Sequence, residues 1–353
     1  MRRLFLYAAT ALLAGCAATP TVLHFGMLDS AEGRLLRFPP PPEVPRYLYA
    51  GELIGEANFR RDDEQARSTL RRLFDAITGL DSADAPRVEL QRPMAGMADE
   101  RGRIYVTDMS RQAVFVFDTV AGELNVWDKA HGVTSFAAPV GIAAGREGEV
   151  LVADAELALV ARLDASGNPK GTIGRGMLKR PTGVARDPAR GLIYVADTHA
   201  HDVKVFDDSG ALVEVVGRRG ERPGEFNFPT HVAFARGELY VTDSMNNRVQ
   251  VFTADGEVLK REFGARGLYV GNLVRPKGVA VDNEGNVYVV EGYYDHLLVF
   301  GPGGEFLLPI GGTGAGAGRF YLPSGVWVDS RNRVFVADMF NGRVVVFQFL
   351  GGG

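Results

Sequence analysis

The sequence predicts an all-β fold, a six-bladed β-propeller made of four-stranded blades. One strand-turn-strand pattern occurs six times, and successive copies lie 43 to 48 residues apart. The strands are short apolar runs rich in Val, Ile, Phe and Tyr. This spacing is too long for a leucine-rich or helical-hairpin repeat and fits a propeller blade.

Each copy opens with Pro, followed by Gly or His, and has an acidic residue where its second strand ends. The openers are Pro93/Gly96, Pro139/Gly141, Pro181/Gly183, Pro229/His231, Pro276/Gly278 and Pro323/Gly325. The acids are Asp108, Asp154, Asp197, Asp243, Glu291 and Asp338. We interpret them as turn caps rather than as a catalytic ring, because such side chains bond to nearby backbone amides.

The repeated pattern resembles a known family. Pro-x-Gly-Val-x-Val-Asp, then Val-Tyr-Val-x-Asp, then Asn-x-Arg-Val-x-Val-Phe is similar to the NHL repeat, most clearly in residues 276–300, 228–252 and 322–347. The resemblance covers about residues 91–347 and implies a propeller, but propellers have many functions. The Arg of the repeat is kept at Arg248 and Arg343 and is replaced by Ala113, Leu159, Asp202 and His296.

Residues 1–15 are predicted to be a lipoprotein signal peptide. Two arginines precede an apolar run of about a dozen residues, too short to span a bilayer. Leu13-Ala-Gly-Cys16 resembles the bacterial lipobox, which implies lipidation of Cys16 and anchoring to the bilayer of the cell envelope. With Ala17 rather than Asp next, the resemblance implies the outer membrane. The alternative is an ordinary signal peptide with an incidental cysteine. Cys16 is the only cysteine, which excludes an internal disulfide.

The other segments before the repeats are assigned by position and composition. Residues 16–45, with four consecutive prolines at 39–42, are predicted to be a tether. The chain ends soon after the third strand of the last blade, so residues 46–55 are predicted to supply its outer strand. Residues 56–90 are predicted to be a helical insertion. The helix at 62–78 is expected to pack on blade one, to cover part of the channel mouth or to dock a partner. The propeller itself comprises residues 91–350.

The overall charge argues against a nucleic-acid partner. The formal net charge is -4, and removing Arg2 and Arg3 with the signal makes it more negative. The sequence contains no basic tract. The glycine-rich run at 311–318 is followed by a strand rather than a helix, so we interpret it as an inter-blade connection, not a phosphate-binding loop.

Four histidines are expected near one face of the ring. They are His199, His201, His231 and His296, and they are the candidates for a divalent metal site. None has the spacing of a zinc motif, and no cofactor is assigned. The pattern departs from that of the peptide-amidating lyases, since of the blade openers only His231 is a histidine. A metal-dependent hydrolase or lyase with a histidine-lined face is the alternative function. No catalytic residue is assigned.

The favoured function is a membrane-anchored binding or scaffold protein of the bacterial cell envelope, presenting propeller loops to a protein, peptide or glycan. Loops carry most variable contacts in such folds, and buried interface centres favour aromatic residues, Met and Arg. The candidate binding residues are His199, His201, His231, Met245, Tyr293, Tyr294, Met339 and Phe340, with Met109 and Arg111 as further contacts. For the aromatic residues and methionines the alternative is packing between blades.

Overall fold

The computed structural model describes residues 21–25, 36–61 and 88–351. Its strands form six larger sheets arranged as a propeller and two small two-stranded sheets. Four strands precede the repeats: β1 (Thr21–Leu23), β2 (Arg37–Phe38), β3 (Tyr47–Leu53) and β4 (Phe59–Arg61). Among the described residues, helical geometry is confined to short 3-10 turns at Glu56–Asn58, Arg146–Gly148 and Ser244–Asn246. The predicted fold class is confirmed.

Blades one to five are antiparallel sheets of four consecutive strands. Blade one contains β5 (Pro93–Ala98), β6 (Arg103–Asp108), β7 (Ala113–Asp118) and β8 (Glu123–Trp127). The hairpin of β9 (Lys129–His131) and β10 (Thr134–Ser135) follows it. Blade two contains β11 (Pro139–Ala144), β12 (Val150–Asp154), β13 (Leu159–Leu163) and β14 (Pro169–Ile173).

Blade three contains β15 (Pro181–Asp187), β16 (Leu192–Asp197), β17 (Asp202–Asp207) and β18 (Leu212–Val216). Blade four contains β19 (Pro229–Ala235), β20 (Glu238–Asp243), β21 (Arg248–Thr253) and β22 (Leu259–Phe263). Blade five contains β23 (Pro276–Val281), β24 (Val287–Glu291), β25 (His296–Phe300) and β26 (Phe306–Gly311). Blade six contains β27 (Val326–Val328), β28 (Arg333–Asp338) and β29 (Arg343–Phe349), completed by β3 and β2.

Burial explains why the middle strands are apolar on both faces. Every residue of β12 is buried, because neighbouring blades cover both sides of the sheet, whereas four of the five residues of the outer strand β18 are exposed. Glycines in the innermost strands let those strands approach closely. A Cβ atom on Gly183 would lie 2.8 Å from the Cα atom of His231 in the next blade.

The two ends of the described chain join in blade six. β3 pairs antiparallel with β29, from Leu53 opposite Val344 to Tyr47 opposite Phe349. The hydroxyl of Tyr47 also lies 3.1 Å from that of Tyr288 in blade five. The prediction that an N-terminal strand closes the ring is therefore confirmed, and β3 covers the edge of β29.

The tether prediction is wrong for the described parts of residues 16–45. Thr21–Leu23 pairs with Phe59–Arg61, and Arg37–Phe38 pairs with the closing strand. The phenyl ring of Phe38 packs edge-on against Phe347 at 5.7 Å, so this segment is docked on the propeller.

The helix predicted at 62–78 lies outside the described residues. No helix in the described part of the chain is long and apolar enough to cross a membrane.

The propeller has two distinct faces. The loop face carries the connections between the second and third strands of each blade and those from one blade to the next. The hairpin face carries the turns between first and second strands and between third and fourth strands. A Cβ atom on Gly122, in a hairpin-face turn of blade one, would lie 2.0 Å from the carbonyl oxygen of Thr21. Strand β1 therefore reaches the hairpin face.

Candidate binding face

The six repeated acids stabilise the turns of the loop face. In blade one, the Asp108 carboxylate accepts hydrogen bonds from the backbone N–H groups of Gln91 and Arg92 at 2.6 and 2.9 Å, and from that of Arg111 at 2.9 Å. Asp154, Asp197, Asp243, Glu291 and Asp338 accept equivalent backbone bonds from the connections entering their blades. The interpretation as turn caps is confirmed, since these carboxylates are occupied by backbone amides.

Two of the candidate histidines lie together and support an aromatic side chain. His201 Nδ1 accepts a hydrogen bond from the backbone N–H of Phe228 at 3.2 Å, and the two rings are 4.3 Å apart. The ring of His199 contacts the same phenyl ring edge-on at 6.1 Å. Burial, with the nearby charge of Arg219, lowers the pKa of His201. These imidazoles are therefore part of the packing around Phe228.

The other two histidines have different surroundings. His231 lies in β19, the innermost strand of blade four, where burial and the positive charge of Lys277 lower its pKa to about 3. Neither of its ring nitrogens, both buried, has a hydrogen-bond partner in the described structure. His296 lines a separate cavity in blade five. Within the described ranges, no three His, Cys, Asp or Glu side chains are grouped so that they could hold a metal ion.

Several exposed apolar side chains lie on the loop face of blades four to six. Within this region Leu268 and Tyr269 are the most exposed, at 86% and 82%. We name this group the apolar crest, consisting of Met245, Leu268, Tyr269, Val270, Tyr293, Tyr321 and Phe340. Beside it is a cavity of about 300 Å³, lined in part by Leu268, Val270, Tyr293, Tyr294 and His296.

Two of the predicted contact residues do not belong to this surface. Met339 is only 6% exposed, so its predicted binding role is wrong and it packs in the interior. Met109 is partly buried against the small apolar cluster of Ala138, Val140 and Ala155.

Tyr294 is half-buried. Its ring lies at a right angle to that of the exposed Tyr293, with the ring centroids 4.9 Å apart. Tyr293 and Phe340 thus remain as exposed aromatic candidates.

Three positively charged residues lie where inter-blade connections enter the innermost strands of blades one and five. Arg92 and Arg275 precede the prolines that open blades one and five, and Lys277 follows the latter. We name these three residues the cationic mouth. The Arg92 guanidinium lies 5.6 Å from the ring centroid of Phe340, and its buried Nε has no hydrogen-bond acceptor in the described structure. Burial, together with the charges of Arg275 and Arg92, lowers the pKa of the Lys277 ammonium.

Sequence reasoning missed the cationic mouth because its members lie in different blades. A usable signal exists, since Arg92, Arg180 and Arg275 all stand directly before a blade-opening proline. That position starts the innermost strand, so side chains there lie near the axis once the ring is closed. Summing charge over the chain hides this arrangement.

Comparison with known proteins agrees with the fold. A family described as a 6-bladed beta-propeller matches residues 187–262 and 271–352. Protein brain tumor of Drosophila melanogaster is 34% identical over 139 residues, 38% of this chain and 13% of that protein. The chain thus matches only a small part of this relative.

Solved structures give the same result at lower identity. Virginiamycin B lyase from Staphylococcus aureus has a TM-score of 0.55 and 15% identity, covering 74% of this chain and 96% of that one. An auxiliary nutrient binding protein from Bacteroides thetaiotaomicron has a TM-score of 0.59 and 12% identity, covering 74% and 70%. At these identities the similarity concerns the fold alone. The sheets, the repeat pattern and these matches together identify the chain as a six-bladed β-propeller built from NHL-like repeats.

Proposed function

We propose that this protein is a lipid-anchored binding protein of the bacterial cell envelope, and that its loop face binds a protein or peptide partner. The observation that carries the proposal is the apolar crest, whose seven exposed apolar side chains lie on one face beside the cationic mouth. Monomeric soluble proteins rarely expose large contiguous apolar surface outside binding sites. Aromatic residues, Met and Arg are also enriched at protein interfaces.

The position of the first strand supports this orientation of the molecule. Thr21 lies at the hairpin face and is five residues from Cys16. Five extended residues reach at most about 18 Å. A lipid on Cys16 would therefore hold the hairpin face towards the bilayer. The loop face, with the apolar crest, would then point away from the membrane and be open to a partner.

The alternative of a metal-dependent hydrolase or lyase has less support. In the described part of the chain the four candidate histidines form no group that could hold a metal ion. A cationic amine near His231 also disfavours a metal cation there, because like charges repel. The lyase and the nutrient binding protein among the solved structures share only the fold with this chain. They therefore do not distinguish an enzyme from a binding protein, and the residues of the site must do so.

A photo-crosslinking experiment tests the binding face. A photoreactive amino acid is placed at Tyr293 in the apolar crest and, as a matched control, at Val258, which is comparably exposed in a hairpin-face turn of blade four. In living cells we expect a defined adduct from position 293 and none from 258. The protein in that adduct, once identified and purified, should bind at least tenfold more weakly to a Leu268→Ser variant and normally to Val258→Ser. Equal adducts at both positions, or none, would contradict the proposal.

The anchor is tested separately by metabolic labelling with an alkyne-tagged fatty acid. We expect the native protein to be labelled and to sediment with membranes. A Cys16→Ser variant should be neither labelled nor retained by membranes after its signal is processed. Unchanged labelling of this variant would contradict anchoring at Cys16, and would leave the crosslinking result as an independent test of the loop face.

A further inference from the structure

We propose that the cationic mouth binds an oxyanion, a carboxylate or phosphate group carried by the ligand of the loop face. This inference rests on the proposed function, because the ligand reaches the mouth through the loop face. It adds the chemistry of the group that is recognised. Arg92, Arg275 and Lys277 are the residues that carry it.

The first argument is the shortage of acidic partners. Within the described ranges, the side chains of Arg92, Arg275 and Lys277 form no ion pair, whereas Arg248 and Arg343 on the same face each contact two carboxylates. Holding cations close together without counter-charges costs free energy, more so where burial removes water. An anion supplied from outside would remove this cost.

The nearby acidic side chains are already occupied. Asp295 Oδ1 accepts the backbone N–H of Leu322 at 2.7 Å, and its Oδ2 accepts the hydroxyl of Thr313 at 2.8 Å. Glu291 accepts the backbone N–H groups of Arg275 and Tyr294. Both carboxylates are near enough to act electrostatically on the Lys277 ammonium, but their hydrogen bonds to the turns hold them in place. They weaken the positive charge of the mouth without forming a direct contact with it.

Two of the three cations, Lys277 and Arg92, are held in position before any ligand arrives. A Cβ atom on Gly292 would lie 3.3 Å from Lys277 Cε, so the lysine side chain runs close along this turn. The Arg92 guanidinium lies over the Phe340 ring, a favourable cation–π arrangement. Preorganised groups lose less conformational entropy on binding, and guanidinium groups match the geometry of carboxylate and phosphate oxygens.

His231 adds a neutral hydrogen-bond donor beneath the mouth. At the Gly or His position that opens each blade, a Cβ atom points towards the next blade. A Cβ atom added to Gly183 in blade three would contact His231 in blade four, and one added to Gly278 in blade five would contact Gly325 in blade six. Because His231 occupies the equivalent position in blade four, its side chain points towards blade five, where Lys277 lies. A neutral imidazole carries one N–H donor, and both ring nitrogens are unpartnered in the described structure. The ring can therefore donate to an anion oxygen without adding charge.

The test uses the processed protein purified in detergent. Sodium phosphate and sodium citrate are titrated separately, each against sodium chloride of equal ionic strength, with melting temperature and calorimetric heat as readouts. We expect saturable binding of at least one of the two anions. Lys277→Met and Arg275→Gln should weaken it at least tenfold. Arg266→Gln, which removes an exposed arginine elsewhere on the loop face, should change it less than twofold.

The outcomes separate the oxyanion site from the proposed function. Preference for phosphate or for citrate indicates whether the ligand carries a phosphate or a carboxylate. A response no larger than that of sodium chloride, or equal losses in all three variants, would overturn the site. Melting temperatures without anion check that the variants fold, and Lys277→Met is expected to melt at or above the wild-type temperature. An adduct at Tyr293 without anion binding would retain the binding function and remove the oxyanion.

Discussion

Arg343 donates a hydrogen bond to the carboxylate of Glu52 at 2.8 Å, across the junction between the last blade and the closing strand. Both side chains are almost fully buried, with 6% and 5% exposed. The same guanidinium bonds to Asp338 and to the backbone carbonyl oxygens of Gly316 and Arg319. One arginine of the repeat therefore joins its own turn, the preceding inter-blade connection and the N-terminal strand.

We predict that Glu52→Ala lowers the free energy of unfolding by about 3 kcal/mol, because it leaves a buried guanidinium without one of its counter-charges. Blade four offers a matched control. Arg248 contacts Glu262 at 2.9 Å, but the Glu262 side chain is 41% exposed. Glu262→Ala should therefore cost less than about 1 kcal/mol. Urea unfolding of both variants measures the difference, and equal losses would contradict the importance of the closing ion pair.

We predict that deleting residues 46–55 lowers the melting temperature by more than about 10 °C or prevents folding. The deletion removes the strand that pairs with β29 and exposes the edge of that strand together with Phe347 and Phe349. Thermal unfolding followed by circular dichroism measures the effect. Removing residues 351–353, which follow the paired segment, is the control and should change the melting temperature by about 1 °C or less. A small effect of the first deletion would show that the ring does not need β3.

We predict that His231 makes the protein less stable in mild acid. Its pKa is lowered to about 3 in the folded protein, while an unfolded histidine titrates near 6.5. Below pH 6.5 the unfolded state therefore binds a proton that the folded state does not. Between pH 8 and pH 5 this difference costs about 2 kcal/mol of stability. In His231→Ala that loss should be absent.

The measurement for His231 is urea unfolding of wild type and variant at both pH values. His199→Ala, which removes an exposed imidazole, is the control for the change in unfolding free energy between the two pH values. If wild type and His231→Ala lose equal stability between pH 8 and pH 5, then His231 is not the residue that senses acid. The Lys277 charge beside His231 adds to the effect of burial, so Lys277→Met should reduce the acid sensitivity in part.

We predict the opposite type of pH dependence for Glu238. Its carboxylate contacts Arg261, Lys260 and the Tyr240 hydroxyl, and these contacts, Arg261 foremost, lower its pKa to about 2. The stability it contributes is present above the unfolded pKa near 4.3 and is lost as the pH falls towards 2.

Glu238→Gln should accordingly destabilise the protein by about 1–2 kcal/mol at pH 7, a range that allows for the solvent exposure of its partners. At pH 3 about half of this difference should remain. Chemical unfolding at pH 7, 5 and 3 tests the trend, with the exposed Glu257→Gln as the control. A difference that does not change with pH would show that the Glu238 charge has no role in stability.

The blades were predictable from sequence because their middle strands are enclosed between neighbouring blades. Val334, Phe335 and Val336 are all fully buried, so the strand must be apolar at consecutive positions, and that signal repeats six times. The closing strand was predictable for a related reason: blade six had no outer strand in the sequence that follows β29. In both cases a local pattern was sufficient.

Other features depend on contacts that leave no local pattern. Strands β1 and β2 have three and two residues, too few to show alternation, so their docking on the propeller was not predicted. Arg92 comes near enough to affect the Lys277 charge only when the ring closes, and a net charge of -4 gives no indication of a positive patch. Met339 has the residue type of an interface contact, and only its burial shows otherwise.

The pairing of β3 with β29 also determines when the native protein can be completed. These strands are separated by most of the chain, so their contact has the largest sequence separation in the sheet and a high loop-closure cost. During synthesis, Tyr47–Leu53 cannot make this pairing until residues 343–349 have been added. Closure of the ring therefore awaits the synthesis of β29.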